Sequence, residues 1–424
     1  MRPVGRSQRP TLAQPTNRVH GPQQMSAPEF GDSHGPLARP VETPGPHETA
    51  RAPARASTAS FAWLLETVRH HVDGQLAIWL GPKVVAAQHI SGEVGAAAEA
   101  VERLTLRGGK RMRAALIVCG FDACGGQGRG EAAAPDDAEH VGALLRSVDR
   151  AAVAIELLQV YLLVHDDWMD DDDVRRGGPA VHVALRDYLG SKRLGDTAAV
   201  LAGDLACAYA QQALLEVPLA AERVLGAARA FAQIQEDVVC GQLAEMSPML
   251  AHQARGPVPS VELIHSLKTA SYTVTGPLAI GAQLAGASDA RVAQLAQYGR
   301  PLGIAFQLRD DLLGVFGDAS ATGKPVGNDV RQGKHTALVA AMQGDAAAEA
   351  LLARVLGRAD ATDAEVNDVM SAMVTSGAKA RVEARVDELL AEARAALAAM
   401  ALPESSPGRA WLAGAIRALG ERSS

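Results

Sequence analysis

Aromatic residues are scarce in this sequence: only 4% of its 424 residues are Phe, Trp or Tyr. Strands are enriched in aromatic and β-branched residues, whereas Ala, Leu and Val dominate here, and Gly and Pro are largely kept out of the long periodic stretches. With 48% hydrophobic residues, the chain can bury a large core in one big domain or two ordinary ones. We therefore predict an all-α globular protein.

A basic excess is also missing, since the formal net charge is −7. This excludes a general nucleic-acid binder, which needs cations to neutralise phosphates. The few cysteines lack paired metal-ligand spacing, so buried free thiols and a reducing compartment are expected for Cys119, Cys124, Cys207 and Cys240. No apolar run approaches the roughly 18 to 20 residues of a membrane span, and no secretory signal follows the basic N-terminus. We predict a cytoplasmic protein without a membrane span.

The N-terminal segment is rich in proline: ten of the 22 prolines fall in residues 1–56. They are mixed with Arg, Gly, Gln and Ser without apolar periodicity, so burial cannot offset the entropy of ordering this segment. The frequent prolines also argue against the amphipathic helix of a transit peptide. We predict a disordered extension over 1–56, part of which would be absent if Met25 were the start codon, and one domain over 57–424.

Helical periodicity begins at Phe61 and continues towards the C-terminus. The predicted helices cover 61–80, 92–105, 111–123, 137–170, 197–215, 219–249, 261–285, 289–315 and 336–356, with further helices beyond. Gly and Pro are expected to form the turns between them, at Gly81-Pro82, 125–126, 177–179, 256–257 and 323–325.

An acidic run closes the long apolar helix predicted over 137–170, with six carboxylates within residues 166–173. On a helix Asp166, Asp167 and Asp170 converge on one face, where like charges destabilise by about a few tenths of a kcal/mol per pair. A merely solvated helix end would not need the core sequence that precedes the run or the two arginines that follow it. Because an all-oxygen ligand set suits Mg²⁺, we predict a magnesium cluster here.

A second carboxylate pair, Asp310-Asp311, emerges from another apolar helix. A single pair of this kind is most often a surface feature. Two such pairs on helices that face each other, however, form a site in which metal ions bridge an anionic ligand between opposing carboxylates. The sequence therefore predicts a polyanionic ligand between two acidic walls.

Cations that could meet such a ligand cluster behind two glycines, in the segment Gly108-Gly109-Lys110-Arg111-Met112-Arg113. Glycine allows close backbone approach, and arginine offers a fork that matches diphosphate oxygens. Cations at a helix N-terminus oppose the macrodipole, so an anionic ligand is a natural reason for them. Further cations stand at Lys268, Lys324 and Lys334.

From Phe61 onwards these motifs resemble those of the trans-isoprenyl diphosphate synthases, the family of farnesyl and geranylgeranyl diphosphate synthases. The motifs appear in the family's order: Gly108 to Arg113, Asp166-Asp167-Trp168-Met169-Asp170, Arg175-Arg176-Gly177, Gly203-Asp204, Gly241-Gln242, Lys268-Thr269, Phe306-Gln307, Asp310-Asp311, Gly323-Lys324-Pro325 and Gly333-Lys334. The resemblance implies the all-α isoprenoid synthase fold, a single helical bundle around a central cavity, and a homodimer.

The resemblance also implies a role for each motif. Mg²⁺ ions that grip an allylic diphosphate (dimethylallyl, geranyl or farnesyl) would be held by Asp166, Asp167, Asp170 and Asp310, with Asp311 in support. Charge and oxygen dipoles for ionisation of the C–O bond would come from Arg175, Lys268, Lys324, Thr269 and Gln307. Isopentenyl diphosphate would be held by Lys110, Arg113, Gln159 and Arg176, and the released diphosphate would take the final proton.

The sequence departs from the family pattern at several positions. Gly314 stands where the second motif usually has its third Asp, and Asp318 is a candidate substitute. Gln159 stands where bacterial relatives often have His, and Glu245 replaces a common Asp. The extra acids over 171–173 exceed the motif and have no role that the sequence indicates.

Product length is expected to depend on a bulky side chain one turn before Asp166. Tyr161 followed by Leu162 resembles the pattern of enzymes that make the C20 product, so we predict geranylgeranyl diphosphate, with farnesyl diphosphate as the alternative. A terpene cyclase would need a mixed Asn, Ser and Glu motif on the opposite wall. A non-catalytic subunit would be expected to lose aspartates of the first motif or the Lys-Arg loop, and a generic divalent-ion binder would not need Lys268-Thr269.

Overall fold

A computed structural model describes residues 60–126, 138–247, 257–317 and 327–420. Apart from one short hairpin, the elements in these ranges are helices, which confirms the all-α prediction. In the first half they are α1 (Phe61–Gln88), α2 (Gly92–Leu106), α3 (Met112–Ala123), α4 (Ala138–Met169), β1 (Val174–Arg175), β2 (Gly178–Pro179), α5 (Val181–Leu189), α6 (Lys192–Leu215) and α7 (Ala221–Glu245). The predicted disorder of 1–56 lies outside the described residues.

The second half begins with α8 (Val261–His265), a π-helix (Ser266–Thr275), α9 (Gly276–Ala285) and α10 (Asp289–Phe316). It continues with α11 (Asn328–Arg331), α12 (Ala337–Ala341), α13 (Ala346–Val355), α14 (Asp363–Thr375), α15 (Ala378–Ala399) and α16 (Pro407–Gly420). α3 lies at the centre, because all of its residues except Arg113 are buried. A helix that is apolar all round belongs in a core, and α4, α9 and α16 pack around this one.

Serine and threonine side chains begin many of the helices. Ser60, Ser91, Ser191 and Ser288 each accept a hydrogen bond from the backbone N–H three residues later. Thr362 does the same and forms a full capping box with Glu365. Since such caps satisfy otherwise unpaired N–H groups, they explain why the predicted starts of α1, α2 and α10 are confirmed.

The prediction of a turn at Gly81-Pro82 is wrong, because α1 runs through both residues to Gln88. Proline removes one backbone hydrogen bond and costs about 3 kcal/mol inside a helix. Trp79 and Leu80 before the proline and Val84 after it are buried in the core. Their burial on both sides offsets this cost and keeps the helix continuous.

The helix predicted over 336–356 is in fact two helices, α12 and α13. Gly344 lies between them with a φ of +91°, a left-handed conformation that suits glycine. Asp345 then caps α13, since its Oδ1 accepts from the N–H groups of Ala347 at 3.0 Å and Ala348 at 3.1 Å. Local turn and cap chemistry here outweighs the apolar periodicity.

Two further features escaped prediction. One is the antiparallel hairpin of β1 and β2, and the other is the short helix α5, which begins directly after the Gly-Gly-Pro turn at 177–179. The four cysteines are free thiols, as expected, but only Cys119 is buried; Cys124 and Cys207 are partly buried and Cys240 is exposed. Within the described ranges one helix, α6, is long and apolar enough to match a membrane span, which is weak evidence for one, and α6 packs along α4 and α5.

Candidate active site

The first acidic run lies at the C-terminal end of α4 and places Asp167 in the interior. Its side chain is fully buried, and Arg175 Nε donates to Oδ1 at 2.6 Å. Oδ2 is also buried but has no hydrogen-bond partner among the described residues. Burial raises the pKa of Asp167, and Arg175 opposes this shift. A buried carboxylate oxygen without a partner fits a ligand for a divalent cation.

We call Asp166, Asp167 and Asp170 together the first wall. Asp166 and Asp170 lie one helical turn apart; Asp166 is partly exposed to solvent and Asp170 is exposed. Desolvation and then the negative charge of Asp166 raise the pKa of Asp170, while the positive charge of Lys268 lowers it. Lys268 Nζ lies 3.9 Å from Asp166 Oδ1. The wall therefore concentrates negative charge that nearby lysines neutralise only in part.

The carboxylates do not form a finished metal cage. In the part of the chain that the structure describes, no group of three or more His, Cys, Asp or Glu side chains is spaced to hold an ion. Mg²⁺ is commonly bound by one or two carboxylates together with substrate phosphates, rather than by a cage made only of protein. The open geometry fits an ion that binds together with an anionic ligand.

The three extra acids after the first motif have structural contacts. Asp171 pairs with Arg186 at 3.5 Å, and Asp172 pairs with Arg175 at 3.2 Å. The backbone C=O of Asp173 accepts from the N–H of Ala180 at 2.9 Å. These contacts hold the β1–β2 hairpin and α5 against the end of α4, which is where Arg175 must lie to reach Asp167.

Asp310 and Asp311 on α10 form the second wall, and the surroundings of these two aspartates differ. Asp310 is exposed, whereas Asp311 is buried and accepts from Gln307 Nε2 at 2.9 Å and from the N–H of Ala337 at 3.2 Å. Burial raises the pKa of Asp311 to about 7, and burial lowers the pKa of neighbouring His265 to about 4. Both oxygens of Asp311 are therefore bound to protein groups, and Asp310 is the member of the pair that faces solvent.

Consecutive residues of the π-helix connect the two walls. Lys268 reaches the first wall and also donates to Glu245 Oε2 at 2.6 Å. Thr269 Oγ1 donates to Gln307 Oε1 at 2.8 Å, and Gln307 holds Asp311 of the second wall. The sequence predicted an ordinary helix over 261–285. The π-helix found within it supports a functional site at this position, because π-helical turns often occur at such sites. Both acidic walls thus border the same helical segment.

The close packing of α7 on the π-helix depends on Gly241. A Cβ at this position would lie 2.7 Å from the backbone N of Lys268. Glycine therefore brings α7 near enough for Glu245, one turn further along, to reach Lys268 Nζ.

Gly241→Ala is expected to lower the free energy of unfolding by about 1–3 kcal/mol, because the added methyl overlaps backbone that cannot easily move. Chemical denaturation of the purified protein measures this change. Gly74→Ala in α1 is the matched control: no heavy atom lies within 4 Å of its added Cβ, so stability is expected to hold or rise. Equal stability of the two variants would contradict the packing role of Gly241.

A cluster of guanidinium groups lies beside the first wall. Burial lowers the pKa of Arg176, and the nearby charges of Arg111, Arg113 and Arg175 lower it further. Arg176 Nη1 donates to the C=O of Leu104 at 3.3 Å, and within the described ranges Arg176 makes no ion pair. Arg111 and Arg175 are paired with carboxylates, but Arg176 keeps its charge unpaired among the described residues and is suited to bind an anion.

The basic segment 108–113 divides into ligand-facing and structural residues. Lys110 is exposed, and Arg113 donates to Thr273 Oγ1 at 3.0 Å while its guanidinium lies 4.1 Å from the Tyr272 ring centre. Arg111, by contrast, is buried among protein acceptors, so the prediction that all three cations face a ligand is wrong for this residue. Its partners are Asp73 at 2.8 Å, Glu156 at 2.9 Å and the C=O of Thr105 at 2.8 Å.

Gln159, Tyr161 and Leu162 lie half-buried along α4, leading to the first wall. The Tyr161 ring packs edge-on against His165 with 4.8 Å between ring centres. Leu162 packs against the main core. Lys324, the segment 323–325 and the candidate substitute Asp318 lie outside the described residues.

A profile of the polyprenyl synthetase family matches residues 95–373. A geranylgeranyl diphosphate synthase of Methanosarcina mazei is 36% identical over 233 residues, which are 55% of this chain and 63% of that relative. A (2E,6E)-farnesyl diphosphate synthase of Mycobacterium tuberculosis is 37% identical over 203 residues, which are 47% of this chain and 52% of that relative. The chain thus spans between half and two thirds of the length of these curated relatives.

Solved structures extend the likeness over more of the chain. Geranylgeranyl pyrophosphate synthase from Corynebacterium glutamicum, solved with isoprenyl diphosphate and magnesium, has a TM-score of 0.71 to this chain and 32% sequence identity. The match covers 85% of this chain and 99% of that one. The fold predicted from the sequence is the fold of this neighbour.

Proposed function

Because the chain belongs to the polyprenyl synthetase family, we propose that it is a prenyltransferase that joins isopentenyl diphosphate to an allylic diphosphate. The single observation that carries this proposal is the π-helix: its Lys268 lies 3.9 Å from Asp166 of the first wall, and its Thr269 donates to Gln307, which in turn donates to Asp311 of the second wall. A diphosphate between the walls would lie beside Lys268 and within reach of carboxylates that bind metal ions.

We assign the metal ions to Asp166, Asp167 and Asp170 on the first wall and to Asp310 on the second, with Asp311 in support. Mg²⁺ is the metal that we propose, because all these donors are carboxylate oxygens. When bound, it would neutralise charge on the departing diphosphate. The unpartnered Oδ2 of Asp167 supports this ligand set, although Asp311 would first have to release the hydrogen bonds that it accepts.

The protein's own cations divide between the two substrates. Arg175 and Lys268 lie at the first wall and would stabilise the allylic diphosphate as its C–O bond breaks, with Lys324 in the same proposed role. Isopentenyl diphosphate would bind at a second site, which we assign to Lys110, Arg113, Gln159 and Arg176. Arg176 would orient the double bond towards the allylic carbon by fixing the diphosphate.

The reaction that we propose breaks the allylic C–O bond, forms a C–C bond to isopentenyl diphosphate and loses one proton. Thr269 and Gln307 would direct oxygen dipoles towards the carbocation, and the released diphosphate would accept the proton. In the structure the Thr269 hydroxyl donates to Gln307, so its oxygen lone pairs stay available for this role. Exclusion of water by the bundle would protect the cation.

The product that we propose is geranylgeranyl diphosphate, with farnesyl diphosphate as the alternative. The similarity to geranylgeranyl synthases supports the C20 product, and the similarity to a farnesyl synthase keeps the shorter product in view. Purified protein with Mg²⁺, isopentenyl diphosphate and each allylic primer in turn tests the proposal. Linear prenyl diphosphates are expected; cyclic hydrocarbons would indicate a cyclase, and no turnover would indicate a non-catalytic subunit.

Tyr161→Ala is expected to lengthen the product beyond C20, because we propose that this half-buried ring limits the space for the growing chain along α4. Chain length of the extracted and dephosphorylated products measures the change. Tyr188→Ala is the control, since Tyr188 is an exposed tyrosine on α5. An unchanged product from Tyr161→Ala would show that this ring is only part of the core.

We propose that the protein is a homodimer that forms through α6 and α7. Both helices expose apolar or small residues at seven-residue spacing: Leu194, Leu201, Ala208 and Leu215 on α6, and Leu225, Ala232, Val239 and Met246 on or next to α7. A repeat of seven keeps a stripe on one face of a helix, as in packed helix pairs. Contiguous exposed apolar surface is typical of protein interfaces.

The double variant Leu201→Glu with Val239→Glu is expected to convert the dimer to a monomer, because buried charges without partners are costly at an interface. Light scattering coupled to gel filtration measures the mass. Val374→Glu on α14 is the control, as Val374 is equally exposed but lies on another helix. If the double variant kept the wild-type mass, this interface would be wrong.

We also propose a cytoplasmic location, which free thiols favour.

A further inference from the structure

The hairpin formed by β1 and β2 carries two arginines that the proposed function assigns to different substrates. Arg175 reaches Asp167 of the first wall, and Arg176 belongs to the proposed site for isopentenyl diphosphate. Because Arg175 pairs with Gly178, Arg176 and Gly177 form a two-residue turn between the strands. Their φ angles of 51° and 72° are both positive, as a type I′ hairpin turn requires. The position of this one hairpin therefore sets where both guanidinium groups lie.

Apolar burial does not hold the hairpin in place. None of residues 174–179 is buried, and Val174 is 66% exposed. Each strand has only two residues, and an isolated two-stranded hairpin is at best marginally stable in water. Its position must therefore come from polar contacts with its neighbours.

Arg107 makes such contacts from the C-terminal end of α2. Its Nη1 donates to the C=O of Arg175 at 3.2 Å and to the C=O of Pro179 at 2.8 Å. One guanidinium nitrogen thus joins the end of β1 to the end of β2. Among the residues that the structure describes, no carboxylate pairs with Arg107, and its side chain donates to these two carbonyls instead.

Two glycines leave room for the arginine side chains between α2 and the hairpin. A Cβ built on Gly178 would lie 2.5 Å from Cζ of Arg107, so the guanidinium occupies the space that a side chain at 178 would take. Arg176 Nη1 donates in the opposite direction, to the C=O of Leu104 on α2 at 3.3 Å. Its Nη2 lies 3.4 Å from the position of a Cβ on Gly109. The hairpin and the end of α2 are thus joined by hydrogen bonds from both sides.

We infer that Arg107 is a positioning residue, which fixes the β1–β2 hairpin so that Arg175 and Arg176 face the two diphosphates at once. This inference rests on the proposed function, and it adds a residue to which no substrate contact is assigned. Arg107 acts through the backbone of the hairpin and not through its charge. Loss of its hydrogen bonds should therefore displace both arginines together.

Arg107→Met removes these hydrogen bonds and keeps most of the side-chain volume. We expect the KM for isopentenyl diphosphate to rise about tenfold as Arg176 moves, and kcat to fall about tenfold as Arg175 moves. The product of the two is about a hundredfold loss in kcat/KM, an effect that a misplacement of about 1 Å can cause. Steady-state kinetics at a saturating allylic primer measures both constants. A variant that was only less stable would lose kcat with its folded fraction and keep the wild-type KM.

Gly178→Ala tests the same contact without removing a charge. The added methyl would overlap the Arg107 guanidinium, which can move because it is the end of a long side chain. We expect the KM for isopentenyl diphosphate to rise about as much as in Arg107→Met. The double variant should lose no more than Arg107→Met alone, because both changes break one contact. If Arg107→Met did not fold, Gly178→Ala would still decide the question.

Arg103→Met is the matched control, because Arg103 is an exposed arginine one turn earlier on α2 that pairs with Glu99 and not with the hairpin. Wild-type KM and kcat are expected for it, and chemical denaturation checks that each variant folds. A wild-type KM in Arg107→Met or in Gly178→Ala, or losses that multiply in the double variant, would overturn this inference alone. No turnover by the wild-type protein would instead overturn the proposed function, and this inference with it.

Discussion

Replacing Asp166 with Asn is expected to reduce turnover by about a thousandfold or more and to leave the fold intact. A metal ion on a departing diphosphate contributes several kcal/mol of transition-state stabilisation, and each 1.36 kcal/mol is about a tenfold change in rate. The Asp166 side chain is 33% exposed, and its ion-pair contact with Lys268 is long, at 3.9 Å. Its removal should therefore cost little stability.

Steady-state rates with isopentenyl diphosphate and an allylic primer measure this effect, and chemical denaturation measures the stability. A change at Asp166 tests turnover with less effect on stability than a change at Asp167 would. Asp167→Asn would also remove the buried carboxylate that pairs with Arg175. Asp368→Asn, which removes an exposed carboxylate on α14, serves as the control. A variant at Asp166 with turnover within about tenfold of wild type would remove this residue from the proposed metal site.

The second large effect concerns stability: Arg111→Met is expected to lower the free energy of unfolding by about 3–5 kcal/mol. The Arg111 side chain is fully buried, and its guanidinium donates hydrogen bonds to Asp73, Glu156 and the C=O of Thr105. Glu156 is itself only 1% exposed. Methionine fills similar space but leaves a buried carboxylate without its cation, and this uncompensated charge causes most of the loss.

Denaturant unfolding measures the change, and Arg103→Met is the matched control. Arg103 forms an exposed ion pair with Glu99 at 3.4 Å, so its loss should cost no more than about 1 kcal/mol. The double variant Arg111→Met with Glu156→Met removes both charges and should be more stable than Arg111→Met alone. If Arg111→Met were no more harmful than Arg103→Met, the structural role of Arg111 would be contradicted.

Much of the fold could be predicted from local patterns. Serine caps, apolar periodicity and glycine breakers located most helices to within a few residues, because these signals act over one or two turns. Pro82 was misread because the burial that holds α1 together comes from distant parts of the chain. The π-helix at 266–275 was missed for a similar reason, since Gly241 and the packing of α7 support it from another helix.

The candidate site shows the same division between local and distant information. Spacing alone placed Asp166, Asp167 and Asp170 on one helix end, because helix geometry relates residues three and four apart. Spacing could not show that Asp311 turns inwards to the N–H of Ala337. Nor could it place Asp329 beside Gly314, because this contact joins two helices that are separated in sequence by residues 317–327.

The central claim is that two acidic helix ends share divalent ions with one bound diphosphate. A crystal structure of the protein with Mn²⁺ and an unreactive isoprenyl diphosphate analogue, read by anomalous scattering, tests it most directly. The account predicts metal peaks between the diphosphate and carboxylates of both walls, with Asp166 or Asp170 on one side and Asp310 on the other. Metal peaks confined to one wall, or a diphosphate bound away from Lys268, would contradict it.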